Sequence, residues 1–139
     1  SWLFNVADQV NQFLLPAQVL LEAQESVVSQ LVNPEHNDLL ASVVGYIAPC
    51  LTAPVWEEVL YRGFALAGLT AWTGRFHVAA VIQAVVFSAH HMSVTAAIPL
   101  FVLGWIWAML YAESNNLFTV IFVHALWNSR VFLGSWLGL

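Results

Sequence analysis

From Trp2 to Val32 apolar residues recur at Leu3, Val6, Val10, Phe13, Ala17, Leu20, Val27 and Leu31, with Asp8, Gln12, Glu22, Glu25 and Ser29 between them. Spacings of three and four predict an amphipathic helix, and Pro16 predicts a bend within it. The segment is too polar to span a bilayer, so it is expected in the interface plane or packed on the flank of a bundle. The run Asn33, Pro34, Glu35, His36, Asn37 and Asp38 then reads as an exposed loop.

Beyond Asp38 the pattern changes to long apolar runs. Residues 39–73 would make about 52 Å of helix, against a hydrocarbon core of about 30 Å. Such a segment must tilt or break, and Pro49 and Pro54 predict breaks. The expected result is a first piece over 39–52 and a second helix from Pro54, near its N1 position, to about Trp72. Further apolar helices are expected at 76–91, 95–112 and 117–136, joined by the polar turns Thr73-Gly74-Arg75, Met92-Ser93 and Glu113-Ser114-Asn115-Asn116. No repeat or low-complexity segment interrupts them. The expected fold class is all-α: a polytopic transmembrane helix bundle of four or five membrane segments with an amphipathic N-terminal helix. Residues 1–38 form the amphipathic helix and loop, and residues 39–139 the transmembrane core.

Composition strengthens this reading. Hydrophobic residues make up 60% of the 139 positions and charged residues 8%, where soluble domains carry about 25% charged residues; the mean hydropathy is +0.77. A core of this size has no room for seven Trp and nine Phe, so the lipid bilayer is the first partner expected, and the chain reads as integral to a membrane. Three arginines, no lysine and a net charge of −5 argue against a nucleic-acid partner, because phosphate neutralisation needs clustered cations. With Arg62 inside an apolar helix and only Arg75 and Arg130 near helix ends, the positive-inside rule gives no orientation. The lone Cys50 excludes an internal disulfide and reads as a packed thiol. The sequence opens at Ser1 without a basic region ahead of a short apolar core, so no signal peptide is expected there and the natural N-terminus is expected upstream.

Against that apolar background, a few polar residues stand out. A charge near the bilayer centre costs several kcal/mol, so an ionisable group in such a helix marks a functional site and needs a partner. Glu58 and Arg62 lie four apart, share a helix face and can pair; Glu57, one residue earlier, faces elsewhere. His91 ends the 76–91 helix one turn after Phe87. His124 lies inside an apolar helix with Asn128 one turn later on its own face. Alternating the crossings puts the start of the 54–72 helix on the side where 76–91 and 117–136 end. Glu57, His91, His124 and Asn128 then all fall between that side and mid-depth, as a single water-accessible pocket requires. The plainer readings are first-turn carboxylates favoured by a helix dipole, a helix-end imidazole, and polar side chains gluing helices together; none of them accounts for Arg62 and the two imidazoles together.

Three motifs occur in order. Pro54, Glu57, Glu58, Arg62 and Gly63 resemble the Glu-Glu-x-x-x-Arg motif, with its preceding proline and following glycine, of the CaaX-protease and bacteriocin-processing family of intramembrane glutamate proteases. Phe87 to His91 resembles that family's Phe-x-x-x-His, and His124 to Asn128 its His-x-x-x-Asn. The glycine-bearing helix Phe101 to Tyr111 and the turn before Leu117 are also similar. The resemblance covers residues 40–130. It implies about eight membrane helices where this sequence shows four or five, so the N-terminal half either lies outside this sequence or is truly reduced. It also implies metal-independent peptide cleavage of a membrane-associated protein or peptide. In that scheme Glu57 is general base on a water held with His91, His124 and Asn128 donate to the tetrahedral oxyanion, and Glu58 with Arg62 orients Glu57.

Two other assignments fit the same residues. Glu57, His91 and His124 make a two-His, one-carboxylate set of the kind that binds zinc, though no His-Glu-x-x-His pair is present. The resemblance also extends to plant and cyanobacterial members that act in thylakoids as scaffolds or accessory subunits of a larger membrane complex for pigment or photosystem assembly. In that case the amphipathic segment and the Trp-rich surface would dock partners, and His36, His77 or His90 would be the spare imidazoles for a pigment.

Overall fold

The computed structural model describes residues 2–23 and 39–137; the loop expected at 33–38, with His36, lies outside them. Among the described residues all regular structure is helical: α1 (Trp2–Leu14), α2 (Ala17–Ala23), α3 (Leu39–Ile47), α4 (Ala53–Glu58), α5 (Leu66–Thr73), α6 (Phe76–His90), α7 (Ala97–Ser114) and α8 (Leu117–Leu137). Two π-helical segments, Ala48–Thr52 and Val59–Ala65, join α3 to α4 and α4 to α5, and a 3-10 turn, Val94–Ala96, leads into α7. Val94–Ser114 and Leu117–Gly134 are long and apolar enough to cross a membrane, and Phe76–His90 is a shorter apolar helix.

The breaks expected at Pro49 and Pro54 do not occur. Residues 39–73 form one continuous helical run, with Ile47, Thr52 and Ala53 all in the right-handed helical region. Proline removes a donor and crowds the carbonyl four residues back. The π segment around Pro49 hydrogen-bonds with a wider i→i+5 spacing, which accommodates the ring without bending the chain out of the helix. The real reversals come where the backbone turns left-handed. Gly74 takes φ +67° and its N–H caps Thr70 O at 2.9 Å; Asn115 takes φ +47° and caps Tyr111 O at 2.8 Å. Both are residues that tolerate this conformation. Asn116 then opens α8, its Oδ1 accepting the N–H of Phe118 at 2.9 Å.

Packing follows from these reversals. Helices α6 and α7 cross where Gly104 presents no side chain: a Cβ there would lie 3.1 Å from Phe87 and 3.2 Å from the Ala84 backbone. Helix α8 runs antiparallel along the 39–58 stretch. Tyr46 donates to Ser129 Oγ at 2.8 Å and Asn128 Nδ2 to Pro49 O at 2.8 Å, which fixes the register. Tyr61, Phe87, Leu103, Trp107 and Val120 form the central apolar cluster, so the core joins the second π segment to α6, α7 and α8.

Of the two places expected for the N-terminal helix, α1 takes the flank of the bundle. Asn11 is buried and holds the start of α7 with both ends of its amide: Nδ2 donates to Thr95 O at 2.8 Å and Val94 O at 3.3 Å, and Oδ1 accepts the N–H of Ile98 at 3.1 Å. Two turns earlier, Phe4 packs on the central cluster and edge-on to Trp127, with ring centroids 4.9 Å apart. Helix α1 therefore runs beside α7 in the opposite direction.

Candidate functional site

Glu57 and Glu58 end α4, immediately before the second π segment, which carries Tyr61 and Arg62. Such π turns widen a helix locally and often accompany functional sites. Glu58 and Arg62 are fully buried. The Arg62 Nη1 donates to Glu58 Oε1 at 3.0 Å, and its Nη2 donates to Gly104 O, 42 residues away, at 2.9 Å. Aromatic rings complete the surroundings of the guanidinium, with Phe87 at 5.1 Å and Trp107 at 5.5 Å from its carbon. A buried charge needs a partner and satisfied donors; Arg62 finds these in Glu58 and the α7 backbone, although Arg62 Nε has no hydrogen-bond partner among the described residues.

Glu58 Oε1 is shared. It also lies 2.7 Å from His124 Nδ1. The same oxygen already accepts from the Arg62 guanidinium, so the tautomer that suits it carries the hydrogen on Nδ1 and leaves His124 Nε2 for other contacts. That nitrogen faces Glu57 Oε2 at 3.8 Å. His91 reaches the same oxygen from α6's end, with Nε2 at 4.0 Å. Its Nδ1 sits 2.8 Å from the carbonyl of Phe87, and a carbonyl only accepts, so here too Nδ1 carries the hydrogen. Two imidazoles thus present their Nε2 atoms to one carboxylate oxygen. Glu57 and His91 remain partly open, with side chains 21% and 29% exposed, whereas His124 is at 3%.

Asn128 sits one turn from His124, with Nδ2 engaged by Pro49 O. One of its two amide hydrogens is thereby used, and one remains. The structure thus brings Glu57, Glu58, Arg62, His91 and His124 into one cluster and sets Asn128 beside it as a link between α8 and the first π segment. His77 and His90 are exposed. Among the described residues no group of three His, Cys, Asp or Glu is placed to hold a metal ion.

Residues 39–130 match the model of the family described as type II CAAX prenyl endopeptidase, Rce1-like. The chain belongs to this family. The match spans about two thirds of the sequence and contains the whole cluster. No curated protein and no solved structure matches the chain. The family is one of CAAX-protease-like membrane endopeptidases.

Sequence reasoning missed three residues around this cluster. Trp107 lies flat on the His124 ring, Gly104 supplies the carbonyl for Arg62, and Gln83 is fully buried on α6 with neither side-chain atom hydrogen-bonded among the described residues. Gln83 was detectable as a lone amide within an apolar helix. Trp107 was not, because a tryptophan in such a helix reads the same whether it faces lipid or core.

Proposed function

We propose that this chain is an intramembrane endopeptidase in which Glu57 activates a water for attack on a peptide carbonyl of a membrane-associated substrate. The observation that carries this reading is the convergence of the Nε2 atoms of His91 and His124 on Glu57 Oε2, at 4.0 and 3.8 Å. These gaps are too long for direct hydrogen bonds, and Glu57 Oε2 is buried without a hydrogen-bond partner among the described residues; a small turn of the part-open Glu57 or His91 side chain would admit one water about 2.8 Å from each of these two groups. His91 Nε2 and the Glu57 carboxylate are both acceptors. A water between them gives one hydrogen to each and turns a lone pair outward, which is the orientation a nucleophile needs.

Attack transfers a water proton to Glu57 and leaves negative charge on the former carbonyl oxygen. The remaining amide hydrogen of Asn128 donates to it, and His124 joins as a donor when both its nitrogens are protonated; such donors act most strongly where water is excluded. Glu57 then returns the proton to the leaving amine. Glu58 and Arg62 hold His124 and the helix carrying Glu57 in place. The family's description makes a prenylated CAAX peptide the first substrate to try.

The test is cleavage of a fluorogenic prenylated CAAX peptide by the purified chain in detergent, compared with Glu57→Gln. Glutamine keeps the shape and removes the proton acceptor, so turnover should fall by roughly 10²–10⁴-fold with an unchanged melting temperature. Full activity in Glu57→Gln refutes the role of Glu57. If the wild type is inactive and Glu57→Gln fully rescues a deletion strain, the protein works without proteolysis, as a scaffold.

A further inference from the structure

Helix α7 contributes none of the motif residues, yet it closes their network at both ends. Its Gly104 carbonyl accepts from Arg62, at the far end of the Glu58 pair. One turn later Trp107 lies against His124, at the near end: the ring centroids are 4.0 Å apart and the planes only 27° from parallel. Trp107 is itself fixed. It is 3% exposed, against more than 70% for Trp2, Trp56 and Trp72, and Phe87 meets it edge-on at 5.9 Å and 81°.

The geometry of His124 shows why a flat neighbour matters. One hydrogen bond, Nδ1 to Glu58 Oε1, holds one atom of the imidazole, and coupled turns about Cα–Cβ and Cβ–Cγ can still tilt the ring about that contact. Its Nε2 is on the opposite edge, so a modest rotation would swing that atom away from Glu57. An indole stacked on the ring face removes the rotation. Phe87, edge-on to His124 at 6.4 Å and 72°, gives no such flat support.

We propose that Trp107 is a positioning residue of the site, whose indole face fixes the plane of the His124 ring and so keeps Nε2 directed at Glu57. The consequence for turnover rests on the proteolytic reading above; the fixing of the ring does not. Misplacing a reacting group by about 1 Å can cost on the order of 10²-fold in rate, so losing the stack should lower kcat much more than it raises KM. Phenylalanine offers a flat face and should restore most of the loss, whereas leucine fills space without one.

The experiment uses the full chain in detergent micelles, as wild type, Trp107→Phe and Trp107→Leu. Histidine-labelled samples are followed by NMR, with the His124 ring signals assigned through His124→Gln. In the wild type the His124 ring protons should be displaced upfield by the indole ring current; Trp107→Leu should abolish the displacement and Trp107→Phe keep part of it. Cleavage should show kcat falling between about tenfold and a hundredfold in Trp107→Leu, with KM within about twofold, and recovery in Trp107→Phe. Wild-type kcat in a folded Trp107→Leu overturns the inference. So does a loss in which kcat and melting temperature fall together and phenylalanine rescues no better than leucine. If the wild type cleaves nothing, the proteolytic reading fails and the NMR decides alone: displaced signals that depend on an aromatic residue at 107 uphold the positioning, and undisplaced wild-type signals overturn it.

Discussion

Glu58 accepts from Arg62 with the same oxygen that meets His124, so one carboxylate atom ties two helices to a buried guanidinium. Removing one partner of a buried ion pair commonly costs about 3–5 kcal/mol, because the other charge is stranded. Arg62→Ala should therefore lower the melting temperature in detergent steeply. A double change of Glu58 and Arg62 to apolar residues should recover part of the loss; equal losses for single and double variants would show that the two charges do not depend on each other.

The adjacent glutamates should separate cleanly. Glu57 comes no nearer than 3.8 Å, oxygen to nitrogen, to either imidazole, so Glu57→Gln should cost turnover and little stability. Glu58→Gln weakens the hold on both Arg62 and His124, and should lose turnover and melting temperature together. Parallel measurement of both quantities on the two variants checks this, and an equally destabilised Glu57→Gln would contradict it.

Glycine positions give a sharper packing test. At Gly104 an added Cβ would meet the Phe87 ring at 3.1 Å and the Ala84 backbone at 3.2 Å, while at Gly68 it would meet nothing within 4 Å. Gly104→Ala should cost about 1–3 kcal/mol through overpacking and shift the carbonyl that receives Arg62. Gly68→Ala, inside α5, should gain up to about 1 kcal/mol from helix propensity. Thermal melts of the two variants should move in opposite directions.

How much of this could be read from the sequence depends on what kind of signal each residue leaves. Glu57, Glu58, Arg62, His91 and His124 were legible because ionisable groups in apolar helices are costly, and their spacing placed them at one depth. The turns at Gly74 and Asn115 were legible from residues suited to left-handed backbone. The continuous helix through Pro49 and Pro54 was not, since proline predicts a break unless the hydrogen bonding widens around it, and that widening has no compositional mark. Asn11 gave no hint of its partner for a different reason: its three bonds reach residues more than 80 positions away.

Asn11 also supports a prediction of its own. Asn11→Leu keeps a side chain of similar size but leaves the N–H of Ile98 without its partner, a loss of about 1–3 kcal/mol for a buried group. Helix α1 should loosen from α7 without unfolding the rest. Hydrogen exchange should rise selectively over residues 2–14, and unchanged protection there would mean that apolar contacts such as Phe4 with Trp127 suffice to hold it.

The π segment at Val59–Ala65 gives the chain one residue of slack in its length. A π stretch behaves as an α-helix holding one residue more than its turns require, so deleting a single residue between 59 and 65 allows ordinary α geometry to return. Because the number of turns stays the same, the helices on either side would keep their relative facing, with α5 still packed on α6 and Glu57 and Glu58 in place on α4. A one-residue deletion here that spares Tyr61 and Arg62 should therefore be tolerated better than one within α6, an ordinary α-helix with no surplus residue, where the same loss rotates one side by about 100° against the other.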